Sequence, residues 1–137
     1  MRERPQSVHS ITAKQPGPKE KENIYITFGV DQDNVLLEVF ITRGKAGTNE
    51  AADAEWVARI ISTALQQMDI KQVQSFLQAV IKTSIGIQGT NVRFVGDGER
   101  ILSAPDAVAK VFAKYYKHRY GQTYLEPIEQ SSKEAQI

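Results

Sequence analysis

Hydrophobic and polar residues alternate in two neighbouring stretches of the chain, with a short polar segment between them. Apolar side chains recur at every second position over residues 24–30 and again over residues 35–41, a period that is typical of half-buried β-strands. Residues 31–34, Asp-Gln-Asp-Asn, favour a turn, so residues 24–42 are predicted to form an antiparallel hairpin. Both faces carry apolar residues. We therefore expect helices to cover one face, and the preceding arm or a second subunit to cover part of the other.

The next segment changes to helical spacing. Its apolar residues recur in pairs every four positions, as in a helix over residues 49–67 that is capped by Thr48 or Asn49. We expect this apolar stripe to be buried against the sheet, and Trp56 to belong to the core rather than to stack on a base. The stripe comprises Trp56, Val57, Ile60, Ile61, Ala64, Leu65 and Met68.

A second helix is predicted to begin at Asp69. This residue and Gln72 can form a capping box, and an apolar stripe follows them. Residues 83–89 lack helical spacing and contain two glycines, so they favour a loop. Residues 91–95 and 99–102 are predicted to pair as a small hairpin around Gly-Asp-Gly.

A third helix is predicted over residues 104–119. Ser103 can cap it, Pro105 suits its first turn, and Asp106 can complete a capping box or interact favourably with the helix dipole. The face away from the apolar stripe is basic, with Lys110, Lys114, Lys117, His118 and Arg119. Such a face is either solvated or able to contact a phosphate group.

Together these elements predict an α+β fold, in which an antiparallel β-hairpin or sheet packs against about three helices in a single small domain. We place this domain at residues 23–120. Residues 1–22 contain three prolines and a Lys-Glu-Lys-Glu run, and are predicted to be a flexible N-terminal arm. Residues 121–137 are predicted to be a polar tail.

Composition and charge narrow the classes of partner. At 137 residues, the chain has room for one hydrophobic core. Its 17 basic and 16 acidic residues give a net charge of +1, which argues against generic nucleic-acid binding. No stretch approaches the roughly 20 apolar residues of a membrane span, and the N-terminus lacks the apolar core of a signal peptide. We therefore expect a cytoplasmic protein without membrane contact.

The chain contains no cysteine and only two histidines, His9 and His118. The lack of cysteine excludes disulfides, thiolate zinc sites and cysteine nucleophiles. The two histidines are far apart and do not form a metal-binding motif. We therefore expect no metal site, no cofactor and no catalytic residue.

A glycine-rich basic turn follows the second strand of the predicted hairpin. Gly44 and Gly47 adopt positive φ at low cost, and the helix that begins after Thr48 adds unpaired amides and a partial positive charge. The turn either serves only to connect a strand to a helix, or binds an anion. In the second case the candidate ligand-binding residues are Arg43, Gly44, Lys45, Gly47 and Thr48, joined by Arg93, Arg100 and Lys110.

Several short segments occur in an order that points to a known family. They are Arg4-Pro5, His9-Ser10-Ile11-Thr12, Ile24-Tyr25-Ile26-Thr27, Glu38-Val39-Phe40-Ile41, Gly44-Lys45-Ala46-Gly47, Ile60-Ile61-Ser62, Gly86-Ile87-Gln88-Gly89 and Leu102-Ser103-Ala104-Pro105-Asp106. In this order they resemble the small C-terminal module of adenosylcobalamin-dependent (class II) ribonucleotide reductases. The last segment resembles the Thr-Ser-Cys-Pro-Asp signature of the TSCPD domain, with Leu102 in place of Thr and Ala104 in place of Cys.

The resemblance implies a role in ribonucleotide reduction that does not include the thiol chemistry of the reaction. Those reductases use a cysteine thiyl radical, and their C-terminal region supplies thiols, which this chain lacks. We therefore expect a non-catalytic docking or accessory subunit whose partner is a reductase catalytic chain. The alternative is a stand-alone protein that binds or sequesters a nucleotide-like phosphate ligand. In both cases we expect a homo-oligomer, a dimer being the simplest, because the helices are too few to cover both faces of the strands.

Overall fold

In the part of the chain that the structure describes, the fold consists of a three-stranded antiparallel sheet, three helices and a small two-stranded hairpin. The computed structural model describes residues 2–5 and 8–121. The strands are β1 (His9–Pro16), β2 (Asn23–Val30) and β3 (Leu36–Arg43), which lie side by side in chain order. The predicted hairpin is present as β2 and β3, and the prediction of an α+β fold is confirmed.

Strand β1 lies within the segment that the sequence predicts to be an arm. Residues His9 to Pro16 pair with β2 along its whole length, from His9 opposite Val30 to Pro16 opposite Asn23. The strand is mostly exposed because it lies at the edge of the sheet, so it needs no run of apolar residues to form. The flexibility of residues 1–22 and the domain boundaries stay predictions, and the predicted tail beyond Gly121 lies outside the described residues.

The strand register gives the sheet a core face and an outer face. Ile26 lies opposite Ile41 and Phe28 opposite Val39 on the core face, where all four side chains are buried. The alternate residues point to the outer face, which is partly open to solvent. Its residues on β2 and β3 are Tyr25, Thr27, Gly29, Glu38, Phe40 and Thr42.

The helices begin where the sequence predicts. They are α1 (Asn49–Gln66), α2 (Ile70–Ser84) and α3 (Ala104–Tyr120). Thr48 caps α1, Asp69 and Gln72 form the predicted capping box of α2, and Ser103 caps α3. Between α2 and α3 lies the small predicted hairpin, with β4 (Arg93–Phe94) and β5 (Arg100–Ile101) on either side of a 3-10 turn (Gly96–Gly98).

The helices pack in two different ways. Helix α1 runs along the free edge of β3, where the Ser62 hydroxyl donates to the Val39 carbonyl (3.0 Å) and accepts from its amide (2.9 Å). Helix α3 contacts the strands and α2. On it, Tyr115 stacks on Phe28 with ring centroids 4.3 Å apart. Burial there raises the pKa of Tyr115 to about 12.

Residues at the start of the chain fasten α1 to the sheet. The Arg2 guanidinium donates to the carbonyls of Leu36 (2.6 Å), Leu65 (2.7 Å) and Met68 (2.9 Å). It also pairs with Asp31 at 3.0 Å. Strand β3, helix α1, the link after α1 and the turn before β3 therefore meet at one side chain, because a guanidinium carries five donors in a fixed plane.

The prediction that Trp56 belongs to the core is wrong for this chain: its side chain is 65% exposed. Ala58, Ile61 and Leu65 are buried, whereas Ile60 on the outer flank of α1 is 53% exposed. The predicted stripe spans about half of the helix circumference at about 100° per residue. A helix that lies along the edge of a sheet buries only the inner half of such a stripe.

Candidate functional site

The glycine-rich turn is shaped by its own hydrogen bonds. Gly44 and Gly47 have φ of 68° and 88°, a backbone region that residues with a Cβ rarely adopt. The Thr48 hydroxyl donates to the Lys45 carbonyl (2.7 Å) and accepts from the Ala51 amide (3.2 Å). One amide of the helix start is therefore already paired, and the Thr48 hydroxyl serves the turn itself.

Arg43, the first cation of the turn, is paired with a carboxylate. Its guanidinium lies 2.7 Å from Glu22, and both side chains are largely buried. Burial raises the pKa of Glu22, but the hydrogen bonds from Arg43 and from the Lys19 amide outweigh burial and place that pKa below its ordinary value. Arg43 is therefore a partner of an ionised Glu22.

The segment that contains Lys19 and Glu22 also gathers Arg93 and Glu50. Arg93 donates to the Glu22 carbonyl at 2.9 Å, and Lys19 pairs with Glu50 at 3.2 Å. The pKa of Glu50 lies below its ordinary value because its own amide and Lys19 donate to the carboxylate. The structure thus brings Arg93 close to the turn, as the sequence hypothesis requires, but places two carboxylates beside it.

Lys45 differs from the other cations of the turn. It is exposed, and within residues 2–5 and 8–121 its ammonium forms no ion pair or hydrogen bond. A ligand could contact it without displacing a carboxylate. Lys45 is therefore the turn residue best suited to an anion.

Arg100 on β5 and Lys110 on α3 form a separate pair. The Lys110 ammonium donates to the Arg100 carbonyl and lies 2.9 Å from the carboxylate of Asp106. Among the described residues, no hydrogen bond or ion pair joins this pair to the turn. The eight candidate residues therefore fall into two groups rather than one site.

A groove of about 840 Å³ leads away from the turn, between β3 and α1. Small residues of α1, among them Ala51, Ala52 and Ala58, leave it open. Its charged lining is mixed, with Glu38 and Glu55 as well as Arg43 and Arg59. Phe40 forms part of its wall and is 53% exposed on the outer face of the sheet.

The segment from Ser103 to Asp106 is hydrogen-bonded to the loop after α2, which lies earlier in the chain. The Ser103 hydroxyl donates to the Ile87 carbonyl (2.5 Å) and accepts from the Asp106 amide (3.1 Å), while the Gly89 amide donates to the Leu102 carbonyl (2.9 Å). In the sequence, the only sign that residues 86–89 and residues 102–106 belong together is that both segments match the family pattern in the same order.

Ala104 lines a second cavity, an apolar crevice of about 420 Å³ between α1 and the pair α2 and α3. Sequence reasoning does not predict this crevice, because it depends on how far α1 stands from the other two helices. The residues of the crevice wall are mostly aliphatic, with Arg43, Glu50, Asp53 and Ser84 as polar members; the others are Ile24, Ile41, Ala54, Val57, Ile61, Val80, Ala104, Pro105, Val108 and Ala109.

Comparison with known families accounts for the Ser103 to Asp106 segment. The sequence model of the TSCPD domain matches residues 2–116. The chain belongs to the TSCPD domain family. The resemblance to the C-terminal module of class II ribonucleotide reductases is thus confirmed at the level of the domain, and this TSCPD domain is a reductase-like module. No curated protein and no solved structure matches the chain.

In this TSCPD domain, Ala104 stands where the signature has cysteine. This residue lines the apolar crevice. Within the part of the chain that the structure describes, no three His, Asp or Glu residues are grouped so that they could hold a metal ion. None of the described helices is long and apolar enough to cross a membrane. The expected absence of a cofactor and of catalytic residues stays a prediction.

Proposed function

We propose that this TSCPD domain is a non-catalytic accessory subunit that docks on the catalytic chain of a ribonucleotide reductase. The family match supports the assignment to this system, and the lack of cysteine removes thiol chemistry from the chain. Without thiols, the domain can still offer its folded surface as a binding site for another chain. Its function is therefore recognition of the larger chain.

The observation that carries this proposal is the open outer face of the sheet. Tyr25 and Phe40 are 42% and 53% exposed there, on the central strand β2 and on its hydrogen-bonded neighbour β3. Aromatic side chains on a rigid surface are frequent anchors of protein interfaces, because they bury a large area at a small loss of side-chain freedom. The adjoining groove between β3 and α1 offers a concave neighbour for a partner side chain.

Binding to a purified class II reductase catalytic chain tests this proposal. The wild-type domain should bind in surface plasmon resonance, and Phe40→Ala should weaken binding about tenfold or more, as expected for the loss of a central aromatic anchor. Ile70→Ala is the matched control, since Ile70 is exposed at the start of α2, away from the sheet. Equal affinity of wild type and Phe40→Ala, or no binding at all, would contradict the proposal.

The exposed Lys45 favours a second function, the binding of a phosphate-bearing small molecule. Its sequence neighbours Gly44 and Ala46 line the groove, whose volume of about 840 Å³ falls within the range of small-molecule sites. Thermal-shift measurements with inorganic phosphate and with a nucleoside triphosphate test it. A stabilisation that Lys45→Ala abolishes supports ligand binding, and no stabilisation of the wild type by either probe argues against it.

A further inference from the structure

The apolar crevice continues into an exposed apolar ridge on the same helix. The ridge consists of Trp56, Val57 and Ile60 on the outer flank of α1, and all three side chains are exposed. Val57 also lines the crevice, so the two features share a residue. Together they form one continuous apolar surface with a protrusion beside a depression.

The sizes of the protrusion and the depression match. With 65% of its surface exposed, Trp56 presents on the order of 150 Å² of mostly apolar surface to water, given the area of an aromatic side chain. The crevice, at about 420 Å³, lies within the size range of pockets that enclose small molecules and so can accept an indole ring. Leaving both features exposed forgoes the free energy gained when apolar surface leaves water.

We infer that a second copy of this chain covers this surface, with Trp56 of each protomer inserted into the crevice of the other. A twofold axis brings the same patch of both chains together, so a patch that contains both a protrusion and its matching depression completes itself. A different partner would have to supply both shapes independently.

Charges near the two features agree with this arrangement. Asp53 and Glu50 lie at the wall of the crevice, and Glu50 pairs with Lys19. Arg59, which pairs with Glu55 of its own helix at 2.8 Å, follows Trp56 on the exposed side of α1. When two α1 helices cross in opposite directions, the Arg59 that accompanies the inserted Trp56 approaches these carboxylates. The outer face with Tyr25 and Phe40 stays free, so the dimer stands independently of docking to a reductase.

Light scattering and fluorescence test the dimer. The mass should correspond to two chains of 15.3 kDa, and dilution should move the emission of Trp56, the single tryptophan of the chain, to longer wavelength. Ile60→Glu should give a folded monomer, whereas Phe40→Ala, the matched control on the outer face, should stay dimeric. A monomeric wild type, or a dimer that Ile60→Glu leaves intact, overturns the inference.

A thiol introduced into the crevice gives a second measure. Because the chain has no cysteine, Ala104→Cys places a single reactive group at the crevice wall. Reaction with a thiol reagent should be at least about tenfold slower than in the double variant with Ile60→Glu, since a covered thiol reacts only when the interface opens. Equal rates in the two backgrounds show that nothing covers the crevice and overturn the inference, even if the protein is dimeric through another face.

Discussion

The carboxylate of Asp106 accepts a hydrogen bond from the backbone amide of Gly86 at 2.8 Å. The Leu102 amide, at 3.1 Å, and the Lys110 ammonium, at 2.9 Å, complete its set of donors. Burial raises the pKa of Asp106, but these donors outweigh burial and place the pKa below its ordinary value. One ionised side chain thus joins the loop after α2, the residue that follows strand β5, and helix α3.

Removing this carboxylate should destabilise the domain. In Asp106→Ala, the amides of Gly86 and Leu102 lose their acceptor, which is itself buried, and we expect the free energy of unfolding to fall by about 1 to 3 kcal/mol. Urea unfolding followed by circular dichroism measures the change. Asp33→Ala, an exposed turn residue, is the control and should change stability by no more than about 0.5 kcal/mol. Similar effects of the two substitutions would contradict the role assigned to Asp106.

Acid should destabilise the domain through Asp106 and Glu22. Both carboxyl groups have lowered pKa values in the folded state, so the unfolded chain binds protons at a higher pH than the folded chain. Their contribution is complete above the ordinary carboxylate pKa of about 4, and is lost as the pH falls through the lowered folded values. Thermal unfolding from neutral pH down to about pH 2 should therefore show a decline that is shallower in Asp106→Asn. An equally steep decline would count against Asp106.

Gly47 should resist substitution for a backbone reason alone. Its φ is 88°, and an added Cβ would meet no atom within 4 Å, so Gly47→Ala introduces conformational strain without a clash. We expect a loss of about 1 to 2 kcal/mol in the free energy of unfolding. Gly96→Ala is a matched control, because its Cβ also meets no atom within 4 Å and its φ is not positive. Equal losses in the two variants would show that φ is not the cause.

Lys45→Ala separates ligand binding from folding. If the turn binds a phosphate group, calorimetry should show affinity lower by about 1.5 to 3 kcal/mol, the scale of a hydrogen bond to a charged group. The free energy of unfolding should stay nearly unchanged, because exposed lysines contribute little to stability. Unchanged affinity for a ligand that the wild type binds would leave the turn a purely structural connection.

Local signals in the sequence predict much of the fold. The period of two in β2 and β3 and the capping residues Thr48, Asp69 and Ser103 each act over a few neighbouring positions, and the structure confirms them. Strand β1 is missed because an edge strand buries little and needs no apolar pattern. Trp56 is misplaced because spacing shows which residues share a face of a helix, but not how much of that face the rest of the chain covers.

The candidate site is harder to predict because its charges are set by distant contacts. Arg43 and Glu22 are 21 positions apart, and Arg93 reaches the Glu22 carbonyl across 71 positions. No local pattern distinguishes a free arginine from a paired one. The sequence points to Lys45 through its place in the turn, and its lack of a partner among the described residues emerges only from the structure.

The hydrogen bonds of Ser103 and Asp106 have a consequence for how such domains evolve. These two residues fasten a loop to a helix start, whereas the position between them that holds cysteine in the signature points into a cavity and forms no part of that fastening. Natural selection can therefore remove the thiol while the flanking residues persist for stability alone. Descendants of a redox protein can in this way keep a recognisable motif long after its chemistry has gone.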